Sequence, residues 1–206
     1  VSGPGNAAAT GFRYPYVIGW TGEAERHRLM WVPRPLGGVR LCYVDSRPGD
    51  HELGVLRLRQ NGRRAGRPDF TTVNTRRQWR CMTRSWCQVC GGSAVDAETG
   101  RIWWLLSSDQ GEGGDGYTNA PPTCRACIPE AIRQCSHLRR HAAVFTVAEC
   151  APFGVRGDVF LPGLPPMVPL AVNRVVRLDD AELPHCLARE LLMRVVDVRE
   201  ETAIDH

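Results

Sequence analysis

Trp86-Cys87-Gln88-Val89-Cys90-Gly91 is answered further along the chain by Pro122-Thr123-Cys124-Arg125-Ala126-Cys127. Each Cys-x-x-Cys pair holds two thiols near enough to chelate one ion from a tight turn. Two such pairs supply four soft ligands, the set that tetrahedral zinc prefers. The second pair opens a stretch, residues 124–141, with helical periodicity. Cys127, Ile128, Ala131, Ile132, Cys135 and Leu138 fall on one face, and Glu130, Arg133, Gln134, His137, Arg140 and His141 mostly on the other. Between the pairs, Glu98-Thr99-Gly100 marks a turn and residues 102–106 a strand. A knuckle, a hairpin and a second pair entering a helix describe a treble-clef zinc finger. A zinc ribbon is the near alternative, with its second pair on another knuckle and no helix required.

Four thiolates at Cys87, Cys90, Cys124 and Cys127 leave no open coordination position, so the expected zinc is structural and not catalytic. Four thiolates and one divalent ion leave a formal charge of about −2. Arg125, Arg84 and Arg101 stand near enough in the chain to offset it.

Outward from this centre, the chain before residue 70 reads as β-rich. Residues 16–20, 28–32 and 39–44 are short runs of β-branched and aromatic side chains, separated by Pro33, Pro35, Gly37-Gly38 and Pro48-Gly49. Residues 54–59 alternate, and Asn61-Gly62 is the strongest hairpin signal. Residues 72–85 predict a helix with Arg76, Arg80 and Arg84 along one face. Gly-rich residues 107–119 read as a loop inserted in the zinc module. Beyond it, residues 143–147 predict a strand, Gly154-Val155-Arg156-Gly157 a turn into another short strand, and residues 162–169 a proline-rich connector. Residues 172–178 predict one more strand. Asp180 then caps a predicted final helix, with Leu183, Leu187, Leu191 and Val195 toward the core.

The expected class is α+β. A flexible lead-in (1–11) precedes a β-rich lobe (12–70), a zinc-binding treble-clef module (71–150) and a C-terminal strand-helix segment (151–206), together one compact domain. With 206 residues, 43% of them hydrophobic, the chain is long enough for a good core. No apolar run is long enough to span a membrane. Residues 1–11 lack the pattern of a signal peptide. Nine cysteines, an odd count, with four of them in two metal-spaced pairs, predict a reducing cytoplasm and not a disulfide scaffold.

Other chemistries fit the thiols less well. Trp86-Cys87-x-x-Cys90 is followed by Gly91-Gly92 and not by the long helix of a thioredoxin-type redox site. Pro122-Thr123-Cys124-x-x-Cys127 lacks the His-x-Glu partner of zinc deaminases. Residues 91–123 contain no histidine to serve a His-Asn-His nuclease. Cys42, Cys81, Cys135, Cys150 and Cys186 read as small core residues. A second metal site on Cys135, His137 and His141 is disfavoured by helical phase, and His185-Cys186 has nothing beside it to suggest reactivity.

All 26 basic residues are arginine, and the formal net charge is +4. The absence of lysine reads first as the mark of a GC-rich genome. The functional alternative is selection for bidentate contacts to phosphate or carboxylate. Arg57, Arg59, Arg63, Arg64 and Arg67, with Arg76, Arg77, Arg80 and Arg84, gather beside Trp79 and Trp86. Such a patch suits a phosphate backbone or an acidic protein partner.

Arg77-Gln78-Trp79-Arg80-Cys81, the two thiol pairs with their Gly91 and Pro121-Pro122 flanks, and Gly154-Val155-Arg156-Gly157-Asp158-Val159 together resemble a group of uncharacterised four-cysteine zinc-finger proteins of GC-rich bacteria. The resemblance implies zinc and a cytoplasmic location and brings no catalytic residues with it. The leading expectation is therefore a zinc-stabilised binding protein for nucleic acid or an acidic partner. The alternatives are a small-molecule enzyme, with specialised metabolism as one setting and a pocket lined by Tyr14, Tyr43, Trp103, His51 or Asp50, and a protein-interaction adaptor.

Overall fold

A computed structural model describes residues 13–107, 116–163, 165 and 168–201. The predicted lead-in 1–11 lies outside these residues. So does most of the Gly-rich loop. The elements run β1 (Ile18–Trp20), β2 (Leu29–Pro33), β3 (Val39–Tyr43), β4 (His51–Glu52), β5 (Val55–Arg57), β6 (Pro68–Val73), α1 (Thr75–Arg84), β7 (Ile102–Ser107), β8 (Tyr117–Thr118), α2 (Ile128–Gln134), α3 (Leu138–His141), β9 (Ala142–Val159), β10 (Ala171–Arg177) and β11 (Cys186–Glu200). The class is α+β with strands dominant. Among the described residues no helix is long and apolar enough to cross a membrane.

The frame is one antiparallel pair. β9 and β11 run side by side from Cys186 opposite Val159 to Glu200 opposite Phe145. On its other edge β9 pairs with β7 through its first half and with β10 through its second. β11 pairs on its other edge with β5, in parallel, at Leu187–Ala188, and with β8 at Met193–Arg194. Between those two short partners Gln78 of α1 fills the gap. Its Nε2 donates to the Leu191 carbonyl at 2.9 Å, and the Leu191 N–H donates to its Oε1 at 3.0 Å. A fully buried side-chain amide thus stands in for a missing stretch of strand. β2–β3 and β1–β6 form separate two-stranded ribbons.

β11 corrects the predicted final helix. Leu183 lies in a single 3-10 turn, and residues 186–200 are extended. The i, i+4 apolar spacing that suggests a helix arises here from a strand buried on both faces and broken by a bulge. The register skips Arg189 between Ala188 and Glu190. Leu187 therefore packs with Leu41, Tyr43, Leu56 and Phe160, while Leu191 packs on the opposite side with Trp79, Met82 and Val155.

Gly154 and Gly157 do not mark a turn either, because β9 runs straight through them, and through the 150/151 boundary, as one strand. A Cβ at Gly154 would stand 2.6 Å from the Val176 carbonyl oxygen, and one at Gly157 would collide with that of Leu187. The glycines allow close approach of the neighbouring strands. Asn61-Gly62 closes no hairpin. The tight turn falls instead at Leu53-Gly54, both at positive φ (53° and 82°), between β4 and β5. Asn61 uses its side chain to accept from the Arg63 N–H (3.0 Å) and donate to the Gly22 carbonyl (2.8 Å). The chain beyond it then pairs with β1 and not with β5.

α1 begins at Asn74, whose side chain accepts from the Arg77 N–H, and ends on Ser85 in the left-handed region. It buries Gln78, Trp79, Cys81 and Met82 and leaves Arg76 and Arg84 exposed. Arg77 turns inward. Its guanidinium donates to both oxygens of the fully buried Glu23 (2.7 and 2.9 Å) and to the Ile18 carbonyl (2.7 Å). Glu23 also accepts from the Trp20 N–H and the Asn74 amide. This buried pair fastens the N-terminal segment to α1. The predicted helix over 124–141 is interrupted at Cys135, which is extended (φ −99°, ψ 114°). On either side of the break Ile132 and Leu138 still pack against Trp103, Leu105 and Val144.

Gln78→Leu removes both partners of a buried Leu191 peptide. It is expected to cost roughly 2–4 kcal/mol in urea unfolding. Arg76→Ala, on the exposed face of the same helix, should change it by less than about 0.5 kcal/mol.

Candidate metal centre

The two thiol pairs meet. The Sγ atoms of Cys87, Cys90, Cys124 and Cys127 all lie within 4.8 Å of one another, and those of Cys90 and Cys124 are 3.8 Å apart. With metal–sulfur bonds of about 2.3 Å, the edge of a thiolate tetrahedron is about 3.8 Å. The spacing fits a four-thiolate metal ion.

Local backbone chemistry builds each half. In the first, Gly91 takes φ +74° and its N–H donates to the Cys87 carbonyl at 2.8 Å. The turn aims two further N–H groups at sulfur, Val89 at Cys87 (3.3 Å) and Gly92 at Cys90 (3.4 Å). In the second, Cys124 precedes a 3-10 turn, Arg125–Cys127, that passes directly into α2 with Pro129 in its first turn. Gln88 joins the halves, donating from its backbone to Pro122 (2.8 Å) and from its side chain to Thr123 (2.9 Å). Asp96 organises the turn between them by accepting from the Thr99 N–H and from Trp103 Nε1, both at 2.9 Å.

Cys87 and Cys127 are buried, Cys124 half-buried and Cys90 exposed. Crowding splits their acidities. Hydrogen bonds from the Cys124 and Cys127 thiols hold Cys87 far below the ordinary thiol range. Cys127 is pushed far above it, by its hydrogen bonds to Cys124 and Cys87 and by burial. A divalent cation resolves this conflict, because it favours all four thiolates at once.

Among the described residues Arg13 touches the cluster, its guanidinium donating to Cys127 Sγ at 3.8 Å. The three arginines expected there are engaged elsewhere. Arg125 lies over Trp103 and Arg84 over Trp86, while Arg101 reaches Thr146 (2.9 Å) and Asp197 (2.7 Å). Nothing in the order of the chain signals that Arg13 folds back onto a thiol so distant from it.

The remaining cysteines divide. Cys42, Cys81 and Cys186 are buried as expected and Cys150 partly so, but Cys135 is exposed because α2 ends before it. His137 and His141 lie with ring centroids 5.2 Å apart, and His137 Nε2 sits 2.8 Å from Ser107 Oγ. Among the described residues these groups and Cys135 form no second metal-type cluster.

The nine arginines do not make one face. Arg59 forks onto Asp50 (2.7 and 2.5 Å), also meets Asp45 (2.9 Å) and covers the Tyr43 ring. Arg77 is buried on Glu23. Arg57 pairs with Glu52 at 2.8 Å, and Arg64 lies over Tyr16. What remains outward is Arg63 and Arg67 before β6, and Arg76, Arg80 and Arg84 along α1, with Arg80 half-buried. The acidic cluster at Asp45, Asp50, His51 and Glu52 is likewise occupied, and His51 Nε2 lies 2.9 Å from the Leu41 carbonyl. Tyr43, almost fully buried, and Trp103 belong to the core. An open concavity of about 500 Å³ is lined by Glu25, Arg26, His27, Arg28, Val44, Asp45 and Arg47, and includes none of the five residues expected to line a substrate pocket.

No family model, curated protein or solved structure matches this chain.

Asp50 offers a test by pH. Burial pushes its carboxyl up, but hydrogen bonds from Arg59 and from the Arg47 N–H outweigh this and hold it below the ordinary range. Its stabilisation is thus complete above the ordinary aspartate value of about 3.9 and is lost as pH falls through the lowered native value. Asp50→Asn should lower stability by about 1–2 kcal/mol at pH 7. In urea unfolding across pH, that gap should stay constant down to about pH 5 and close below about pH 4.

Proposed function

We propose that Cys87, Cys90, Cys124 and Cys127 hold a structural zinc ion in a treble-clef arrangement, and that the protein so stapled is a cytoplasmic nucleic-acid-binding protein. The convergence of four sulfurs, two of them receiving backbone N–H donors, supports the metal. Four soft thiolates favour zinc among abundant divalent ions. A knuckle at the first pair, a turn leading into β7, and a second pair leading into α2 support the treble clef. Thiolate ligation suits a reducing compartment.

The outward arginines support the binding role. Arg76 and Arg84 on α1 and Arg63 and Arg67 before β6 are exposed in a chain of net charge +4. This surface suits polyanion contact. None of the five residues of the enzyme reading lines the concavity beside Asp45, and Asp50 and Tyr43 are taken up by Arg59.

Two measurements test the reading. Elemental analysis of the purified protein should give one zinc per chain, lost in Cys87→Ser and Cys124→Ser. Chelation should lower the melting temperature by about 10–20 °C. Less than half an equivalent of any metal would refute the four-thiolate site. For nucleic acid, affinity should fall with rising salt, and Arg76→Ala with Arg84→Ala should reduce the slope of log K against log salt by about 1–2. No affinity even at low salt would refute the binding role.

A further inference from the structure

We propose that the β1–β6 ribbon is a stacking platform for single-stranded nucleic acid, with Tyr14, Trp20 and Phe70 meeting bases and Arg63 and Arg67 meeting phosphates. This rests on the nucleic-acid reading above and names the substrate class.

Three rings gather on this ribbon. The centroid of Tyr14 lies 5.4 Å from that of Trp20, edge to face, and 6.1 Å from that of Phe70. Phe70 is 61% exposed, and it is the one aromatic among the exposed large apolar side chains described. A phenylalanine held in a strand and facing water is a poor choice for stability alone. It is a good choice for stacking, because every base has a π-face.

The arginines are brought to the rings by the backbone. The Thr21 N–H donates to the Arg67 carbonyl and the Arg67 N–H to Thr21 Oγ1, both at 3.0 Å, and the Gly22 N–H donates to Ala65 at 3.0 Å. The loop bearing Arg63 and Arg67 is therefore stitched along the residues that follow Trp20, and Trp20 itself pairs with Pro68. Both arginines are exposed. The one acid beside Phe70, Asp69, is occupied by Thr71 (N–H at 2.9 Å, hydroxyl at 2.6 Å) and by the Thr72 hydroxyl (3.0 Å).

An acidic protein would account for the arginines of the ribbon but not for its rings. An anionic membrane would favour apolar side chains projecting together, whereas Tyr14 and Trp20 are half-buried. Duplex DNA hides its base faces; a single strand offers them.

The test is fluorescence anisotropy with labelled dT12, a 12-mer of abasic phosphodiester and a hairpin duplex, plus sedimentation with phosphatidylserine vesicles. The platform predicts that dT12 binds more tightly than the abasic strand and the duplex. It predicts that Phe70→Ala weakens dT12 binding tenfold or more without changing the melting temperature, and that Phe70→Trp restores it. Trp20→Ala should act in the same direction, and Arg63→Ala with Arg67→Ala should weaken dT12 and abasic strand alike.

Equal binding of dT12 and abasic strand, untouched by Phe70→Ala but lost on removing Arg76 and Arg84, would overturn the platform and leave the nucleic-acid reading standing. Binding to vesicles with none to dT12 would overturn both, as would no binding to any probe at low salt.

Discussion

The pairing of β9 with β11 is the constraint on which the other elements depend. It occupies one edge of each strand over almost its whole length, and leaves the two outer edges as the places where everything else in the larger sheet attaches. Those on β11 are short. β8 contributes two residues and β5 two residues in parallel register. A backbone group between them would be stranded without a partner, at a cost of about 1–3 kcal/mol each. The Gln78 amide removes that cost at Leu191, and in doing so fixes α1 in both position and rotation against the sheet. The helix that leads into the first thiol pair is thereby docked by a polar contact more specific than apolar packing.

The N-terminal ribbon is attached by a different kind of contact. Glu23 and Arg77 are both buried, and each has further partners: Trp20 and Asn74 for the carboxylate, the Ile18 carbonyl for the guanidinium. A buried pair of this sort adds little net stability over an apolar replacement, yet breaking it by removing one partner is costly, about 3–5 kcal/mol. Its effect is to permit one docking geometry. Asn74 takes part twice, capping α1 and holding Glu23, so the start of the helix and the position of the ribbon are set together. Arg13, at the near end of the same ribbon, reaches the Cys127 sulfur. Ribbon, helix and cysteine cluster are in this way coupled through polar contacts.

How much of this was legible in the sequence depended on how local the cause was. The cysteine pairs were legible because the spacing and the chemistry lie within four residues. The strands β2, β3 and β10 were legible from β-branched runs between Gly and Pro, and α1 from its arginine face. Where sequence reading failed, the cause lay elsewhere in the fold. Leu183, Leu187, Leu191 and Val195 have the spacing of a helix, but the bulge at Arg189 and burial on both faces produce the same spacing in a strand. Gly154 and Gly157 read as a turn because their true reason, the nearness of Val176 and Leu187, belongs to strands far along the chain. The arginine cluster looked like a single face because linear proximity conceals that Arg59 and Arg77 have carboxylate partners inside. Arg13 and Gln78 carried no local signal at all.

The dependence on β11 has a temporal side. The strand is the last of the described elements to leave the ribosome, yet it holds the partner of β5, the partner of β8 and, 113 residues from Gln78, the peptide that docks α1. Contacts of such long sequence separation form slowly, since loop closure must precede any reward. The β2–β3 ribbon, the cysteine knuckles and the pairing of β7 and β10 with β9 need no β11, but β5, β8 and α1 have no strand edge to close onto until it arrives. Until then the apolar faces of β5 and α1 stand uncovered, and a nascent chain in that state is one for chaperones to shield.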